Sequence, residues 1–178
     1  MGVAGRIRGA YDEAPGATGT FGRWTLHIGR HFNSTTPGRV DHLPGGNFSI
    51  RREAFDRVGG FDRSYGGSAV GEETDFSLRL RRARPDTVFE YDPLAAVTHL
   101  HMRTGGCRSP RFADWLHWHA HNVMLFALRH GARTTLPLVV LARALRFGIF
   151  AIQHRDPMLV AVGLRGLGLG VSSHLRTR

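Results

Sequence analysis

Gly71-Glu72-Glu73-Thr74-Asp75 sets three carboxylates within four residues, just after a glycine-rich loop, Gly66-Gly67-Ser68. Phe76, Leu80 and Ala83 follow at helical spacing, so the acids fall in the first turn of a helix from Glu72 to about Arg82. At about 100° per residue, Glu72 and Asp75 share one face and Glu73 points elsewhere. One acid can then be held by neighbours while another faces a cleft, which suits general-base chemistry. The same pattern has a plain structural account. Acids in a first turn favour the helix dipole and fill its free N–H groups.

Outward from this helix the chain reads as short strands and turns. Gly45-Gly46-Asn47 is a turn, where glycine lets backbone approach a ligand closely. Phe48 and Ile50 alternate with Ser49 and Arg51, and a short helix opens at Glu53-Ala54-Phe55 and ends at Gly59-Gly60. Thr87 to Tyr91 reads as a strand closed by Asp92-Pro93. Leu94 to Thr98 is a second extended segment that delivers His99 and His101 to one side. Upstream, Val3 to Tyr11 fits a short strand. Trp24, Leu26 and Ile28 alternate with Thr25 and His27, the period of a half-buried strand or flap, and Asn33 to Gly38 reads as a loop.

Taken in order, these blocks carry a family likeness. They are Gly45-Gly46-Asn47-Phe48-Ser49-Ile50, Val58-Gly59-Gly60-Phe61-Asp62, Gly71-Glu72-Glu73-Thr74-Asp75-Phe76, Tyr91-Asp92-Pro93 and Val97-Thr98-His99. Their order and spacing closely resemble the acceptor-binding half of family 2 glycosyltransferases of the GT-A type. They are similar also to the galactosyltransferase C-terminal domain. The likeness runs from about Val3 to Asn122 and is most specific from Gly45 to His99. Several linked motifs in order weigh more than one short pattern.

The resemblance implies an α/β fold class, here an α+β fragment: a partial GT-A fold with a short mixed sheet, followed by C-terminal helices. It implies hexosyl transfer with inversion, in cell-wall or polysaccharide biosynthesis, from a nucleotide-sugar donor to a saccharide or lipid-linked acceptor. Glu73, the second acid of the pair, takes the place of the catalytic base, with Glu72 beside it. Gly46, Asn47, Asp62, Asp75 and Arg79 take the substrate-binding places. His99 takes that of a ligand to a manganese or magnesium ion on the donor diphosphate. Arg84-Pro85 departs from the pattern where such enzymes show glycine.

A complete enzyme of this type begins with a parallel βαβ half that binds the nucleotide and carries an Asp-x-Asp motif for the metal. No Asp-x-Asp occurs in this chain, and no alternating βαβ pattern precedes Gly45. The expectation is a truncated form, or a half completed by a separate chain, that is weakly active or inactive alone.

The other histidines read as ordinary. His27, His31 and His42 have no mutual metal spacing. In the run Trp115-Leu116-His117-Trp118-His119-Ala120-His121, only His117 and His121 share a helix face, with no third ligand nearby. Arg79, Arg81 and Arg82 read as a solvated face, although Arg79 also matches the family arginine.

Composition bounds the rest. The chain has 178 residues, which suits one domain or one and a half, and its 42% apolar content is enough for a real core. Cys107 is the lone cysteine, so no internal disulfide is possible and a reducing compartment fits. Formal charge is +10, from 24 basic against 14 acidic residues, and every basic one is arginine. Arginine suits phosphate in a nucleotide sugar, in nucleic acid or on an anionic membrane. Nucleic acid is set aside, because no helix-turn-helix, zinc-finger or RNP pattern occurs. The start lacks an apolar leader and a myristoylation pattern.

Three regions are expected: residues 1–110 as the acceptor side, 111–131 as a packing helix, and 132–178 as an amphipathic, membrane-associated helical tail. Arg103 to Pro110 forms a basic loop, a lid or a connector. Leu136 to Ile152 is strongly apolar but interrupted by Arg143 and Arg146, which disfavours spanning and favours an in-plane helix on anionic lipid. A helix packed on a partner domain is the other reading. Met158 to Val171 is apolar, short for a span and carries four glycines, and Leu175 to Arg178 is expected to fray. The expected location is cytoplasmic, at the inner face of the plasma membrane. A non-catalytic, basic membrane-surface or partner-binding remnant of a transferase is the alternative.

Overall fold

The computed structural model describes residues 2–9, 18–101, 109 and 111–177. They form two compact units. The first holds six strands and two helices. The second holds residues 63–71 and three helices, with Arg23–Thr25 beside them. The basic loop from Arg103, with Cys107 in it, lies outside the described residues except for Ser109.

In the first unit a four-stranded mixed sheet has the order β4-β6-β1-β5, with β1 Gly2–Arg8, β4 Gly38–Val40, β5 Phe48–Ile50 and β6 Phe89–Thr98. β6 runs parallel to β1, while β5 pairs with β1 and β4 with β6 in antiparallel sense. The expected mixed sheet is therefore present. Ala4, Ile7, Phe32, Val40, Leu43, Ala54, Leu80, Phe89 and Tyr91 form the unit's core. Beside it the rings of Phe48, Phe55, Phe61 and Phe76 stack edge to face and tilted, Phe61 and Phe76 at 5.1 Å. That cluster joins helices α1 (Arg52–Arg57) and α2 (Glu72–Ala83) to the β5 strand.

Two strand expectations are corrected. Thr87 to Thr98 is not two segments divided at Asp92-Pro93. One strand, β6, continues through the proline. Asp92 pairs with Gly5 and Ala96 with Arg6, so Pro93, Leu94 and Ala95 bulge out of the ladder. Proline is tolerated there because the bulged residue owes no ladder hydrogen bond. The alternation from Trp24 to Ile28, expected as a strand or flap, is strand only at His27 and Ile28. Arg23 to Leu26 turn between β2 (Thr18–Gly22) and β3 (His27–Arg30), with Leu26 at φ 53° and Trp24 exposed.

The second unit is a helical assembly of α3 (Phe112–His130), α4 (Leu136–Gln153, led by a 3-10 turn Arg133–Thr135) and α5 (Met158–Arg176). α5 extends past the apolar run through Leu175 and Arg176, the first two residues of the stretch expected to fray, and ends at Thr177. The glycines of α5 have a packing role. A Cβ at Gly163 would overlap the Phe147 ring, and at Gly166 and Gly170 it would overlap the His117 and His121 carbonyl oxygens. Helix backbones approach closely only where such residues face one another. Leu116, Ala120, Met124, Phe147, Leu159 and Leu167 close the core. His121 is buried, its Nδ1 2.8 Å from Asn122 Oδ1 and its Nε2 3.0 Å from Ser173 Oγ. Burial holds its pKa below the usual histidine value. Asn122 Nδ2 donates to Gly66 O at 2.9 Å, and Gly66 N–H donates back to Asn122 Oδ1, which fastens the Gly66-Gly67 turn to α3.

Candidate functional site

The site builds from the first turn of α2. Thr74, Asp75, Phe76 and Ser77 are buried, whereas Glu72 and Glu73 are half exposed. Ser77 Oγ donates to Glu73 O at 2.8 Å and accepts from Leu43 N–H at 3.0 Å. Thr74 Oγ1 lies 3.4 Å from Nδ1 of His42, whose Nε2 meets Gly29 O at 3.1 Å. These bonds seat residues 42–45 against the turn that carries the acids. Gly45 consequently lies under the Glu73 side chain, where any Cβ would overlap its carboxylate. No hydrogen bond or ion pair among the described residues engages either oxygen of Glu73. Glu72 beside it has its pKa raised, first by burial and then by the charge of Glu73. A half-exposed carboxylate that no neighbour engages can take a proton from a hydroxyl placed against it.

Gly45-Gly46-Asn47 continues across the sheet. Gly46 packs on Ile7, leaving 3.0 Å from its would-be Cβ to Ile7 Cδ1. Asn47 Nδ2 donates to Arg6 O at 3.1 Å and to Ala95 O at 2.7 Å. Its amide thus enters the gap that the β6 bulge opens beside β1, and Gly5 gives it room. Both of its amide protons are committed to backbone carbonyls, which leaves Oδ1 to accept from a hydrogen-bond donor.

Asp75 is wholly buried and ion-paired to Arg79, with Nε to Oδ2 at 2.7 Å. Arg79 Nη1 and Nη2 donate to Val58 O and Gly60 O, each at 2.7 Å. The solvated-face expectation fails for Arg79: its guanidinium ties α2 to the turn after α1, and its side chain is 22% exposed. Asp62 follows directly on Phe61 of the ring cluster and is half buried.

His99 lies just past the parallel ends of β1 and β6, with its N–H donating to Arg8 O at 2.9 Å. Its Nδ1 accepts from His101 N–H at 3.2 Å, and the two rings are 4.2 Å apart. His101 Nε2 is committed to Gly9 O. His99 Nε2 is therefore the nitrogen that could reach a cation. Among the described residues no three His, Cys, Asp or Glu side chains converge. Manganese and magnesium require several oxygen donors, so the described residues alone do not assemble such a centre.

The structure brings Glu73, Glu72 and Gly45 together, and Gly46 and Asn47 adjoin them along the loop. Among the described residues no contact links Glu73 to His99, and Asp75 and Arg79 turn into the unit. A separate concavity of about 300 Å³ is lined by Arg51, Glu53, Ala54, Arg57, Arg84, Asp86 and Val88, none of them a candidate residue. Ser77, His42 and Thr74, which hold the loop beneath Glu73, escaped the sequence reading. The available signal was a serine and a threonine inside the apolar stripe of α2. Comparison with protein-family models, curated proteins and solved structures found no match to this chain.

Proposed function

We propose that the first unit is the acceptor side of an inverting glycosyl transfer, with Glu73 as the general base. The observation that carries this reading is the half-exposed Glu73 carboxylate over Gly45, held from below and unpaired. Glu73 takes the proton from a hydroxyl of a saccharide or lipid-linked acceptor. That oxygen bonds the anomeric carbon as the carbon–oxygen bond to the nucleoside diphosphate breaks on the opposite side. The diphosphate leaves with the bonding pair, and the configuration inverts. The carboxyl of the adjacent Glu72 is raised first by burial and then by the charge of Glu73. Asn47 Oδ1 and Asp62 receive hydroxyls of the acceptor, while Asp75 and Arg79 position α2. The nucleotide-binding half comes from residues beyond this chain, and the expected manganese or magnesium ion would draw most of its ligands from there and from the diphosphate, with His99 Nε2 contributing one. The reaction takes place at the cytoplasmic face of the plasma membrane.

The test is transfer from nucleotide sugars to lipid-linked acceptors. It uses the chain joined to the coding region upstream of Met1, with and without Glu73→Gln. The variant is expected to lose at least about a hundredfold in kcat, the lower range for removing a general base. Undiminished turnover removes Glu73 from the reaction.

A further inference from the structure

We propose that α4 and α5 dock in the plane of an anionic lipid bilayer, apolar stripes down, with Arg146 and Arg165 at headgroup level. This rests on the helices alone, whatever reaction Glu73 serves.

On α4, Leu138, Leu141, Leu145, Ile149 and Ile152 are 53% to 79% exposed. Their spacing of three or four residues puts them within about 40° of one line along the helix. Ala142 and Gly148 flank that line, and no charge falls on it. Arg146 sits about 100° round from Leu145, where a side chain can snorkel to the headgroups. Its guanidinium is 5.1 Å from the Phe150 ring centre. α5 repeats the design. Leu164, Val171 and Leu175 are exposed, with Gly168 between them, and exposed Arg165 stands about 100° from Leu164.

Water is a poor solvent for such faces. Solvated helices carry charge on their outer side, and a contiguous apolar surface marks an interaction site. Charge selects the occupant. Neither helix holds an Asp or Glu, and Arg133, Arg143, Arg146, Arg155, Arg165 and Arg176 stand against Asp156 alone. A second copy, at formal charge +10, would bring like charge to like. An anionic lipid surface attracts it. Both helices are long and apolar enough to cross a membrane, with mean hydropathy 1.8 and 1.4. Arg143, Arg146 and Arg165 fall mid-helix, however, where a spanning helix would hold them at the bilayer centre. Lying flat avoids that position.

The test is flotation of the full chain with vesicles of phosphatidylcholine, with and without phosphatidylglycerol. Expected is flotation on the phosphatidylglycerol vesicles alone, weakened by salt and reversed by alkaline carbonate. Leu141→Glu with Leu145→Glu is expected to cut the bound fraction about tenfold or more, since two apolar anchors are removed. Arg146→Gln with Arg165→Gln, the second pair, is expected to flatten the salt dependence. Circular dichroism matched to wild type establishes that the variants are folded. Failure of wild type to float, binding that both pairs leave unchanged, or retention after carbonate would overturn the proposal. So would a soluble dimer, seen by light scattering, that the leucine pair dissolves.

Discussion

Glu72 and Glu73 are neighbours in the chain with different surroundings. Glu73 sits over Gly45, while the carboxyl of Glu72 is pushed above its ordinary value of 4.5 by burial and by the charge next door. A raised carboxyl pKa means that the fold favours the neutral form. That stability is fully present below the ordinary value and is lost as pH rises through the folded one. Glu72→Gln is accordingly expected to raise the melting temperature at pH 7, by about 1 °C, because a partly exposed group contributes only tenths of a kcal/mol. The gain should vanish in melts well below pH 4.5. A gain that persists there would assign the effect to something other than charge. His42 has the opposite sign. Burial holds its pKa below 6.5, so its contribution is present above that value and lost in acid. The sequence singled out Glu73 but not its support. Leu43 N–H meets Ser77 Oγ across a separation of 34 residues, a relation that no local pattern encodes.

At the scale of elements, the regular helices were legible and the irregular strand was not. α3 spans Phe112–His130 as its 3.6-residue pattern and Gly131 predict, because one face is buried along its whole length. β6 was misread because proline usually stops a strand. Here an asparagine side chain supplies the carbonyls with donors where the ladder lapses, and only the folded chain brings it there. The join between α2 and the turn after α1 depends on one guanidinium, which serves two carbonyls and a buried carboxylate. Arg79→Ala takes the guanidinium from the buried Asp75 carboxylate and from both carbonyls, and is expected to cost about 3–5 kcal/mol in urea denaturation. Arg79→Lys should recover part of this and not all, since one ammonium cannot span three acceptors in a fork.

For the whole molecule, the positive charge is all arginine, with no lysine among 24 basic residues. Amine-directed acylation can therefore remove at most the charge of the chain's amino terminus. Vesicle binding is expected to survive acetic anhydride and to fail after phenylglyoxal, which takes the guanidinium charge, with flotation as the readout. Equal sensitivity to both reagents would point away from arginine. Charge and composition raised the expectation of an anionic partner. The apolar runs pointed to the C-terminal helices, but not to the side of α4 and α5 that the fold leaves bare, which depends on packing.

The break in pairing between β1 and β6 is what gives the glycine loop somewhere to sit. Trimming the three spare residues would let the ladder zip shut, and the wedge would be evicted from its slot. A tidier sheet would then come at the cost of the seat that holds Gly45 under Glu73: an imperfection in the framework is what shapes the surface beside it.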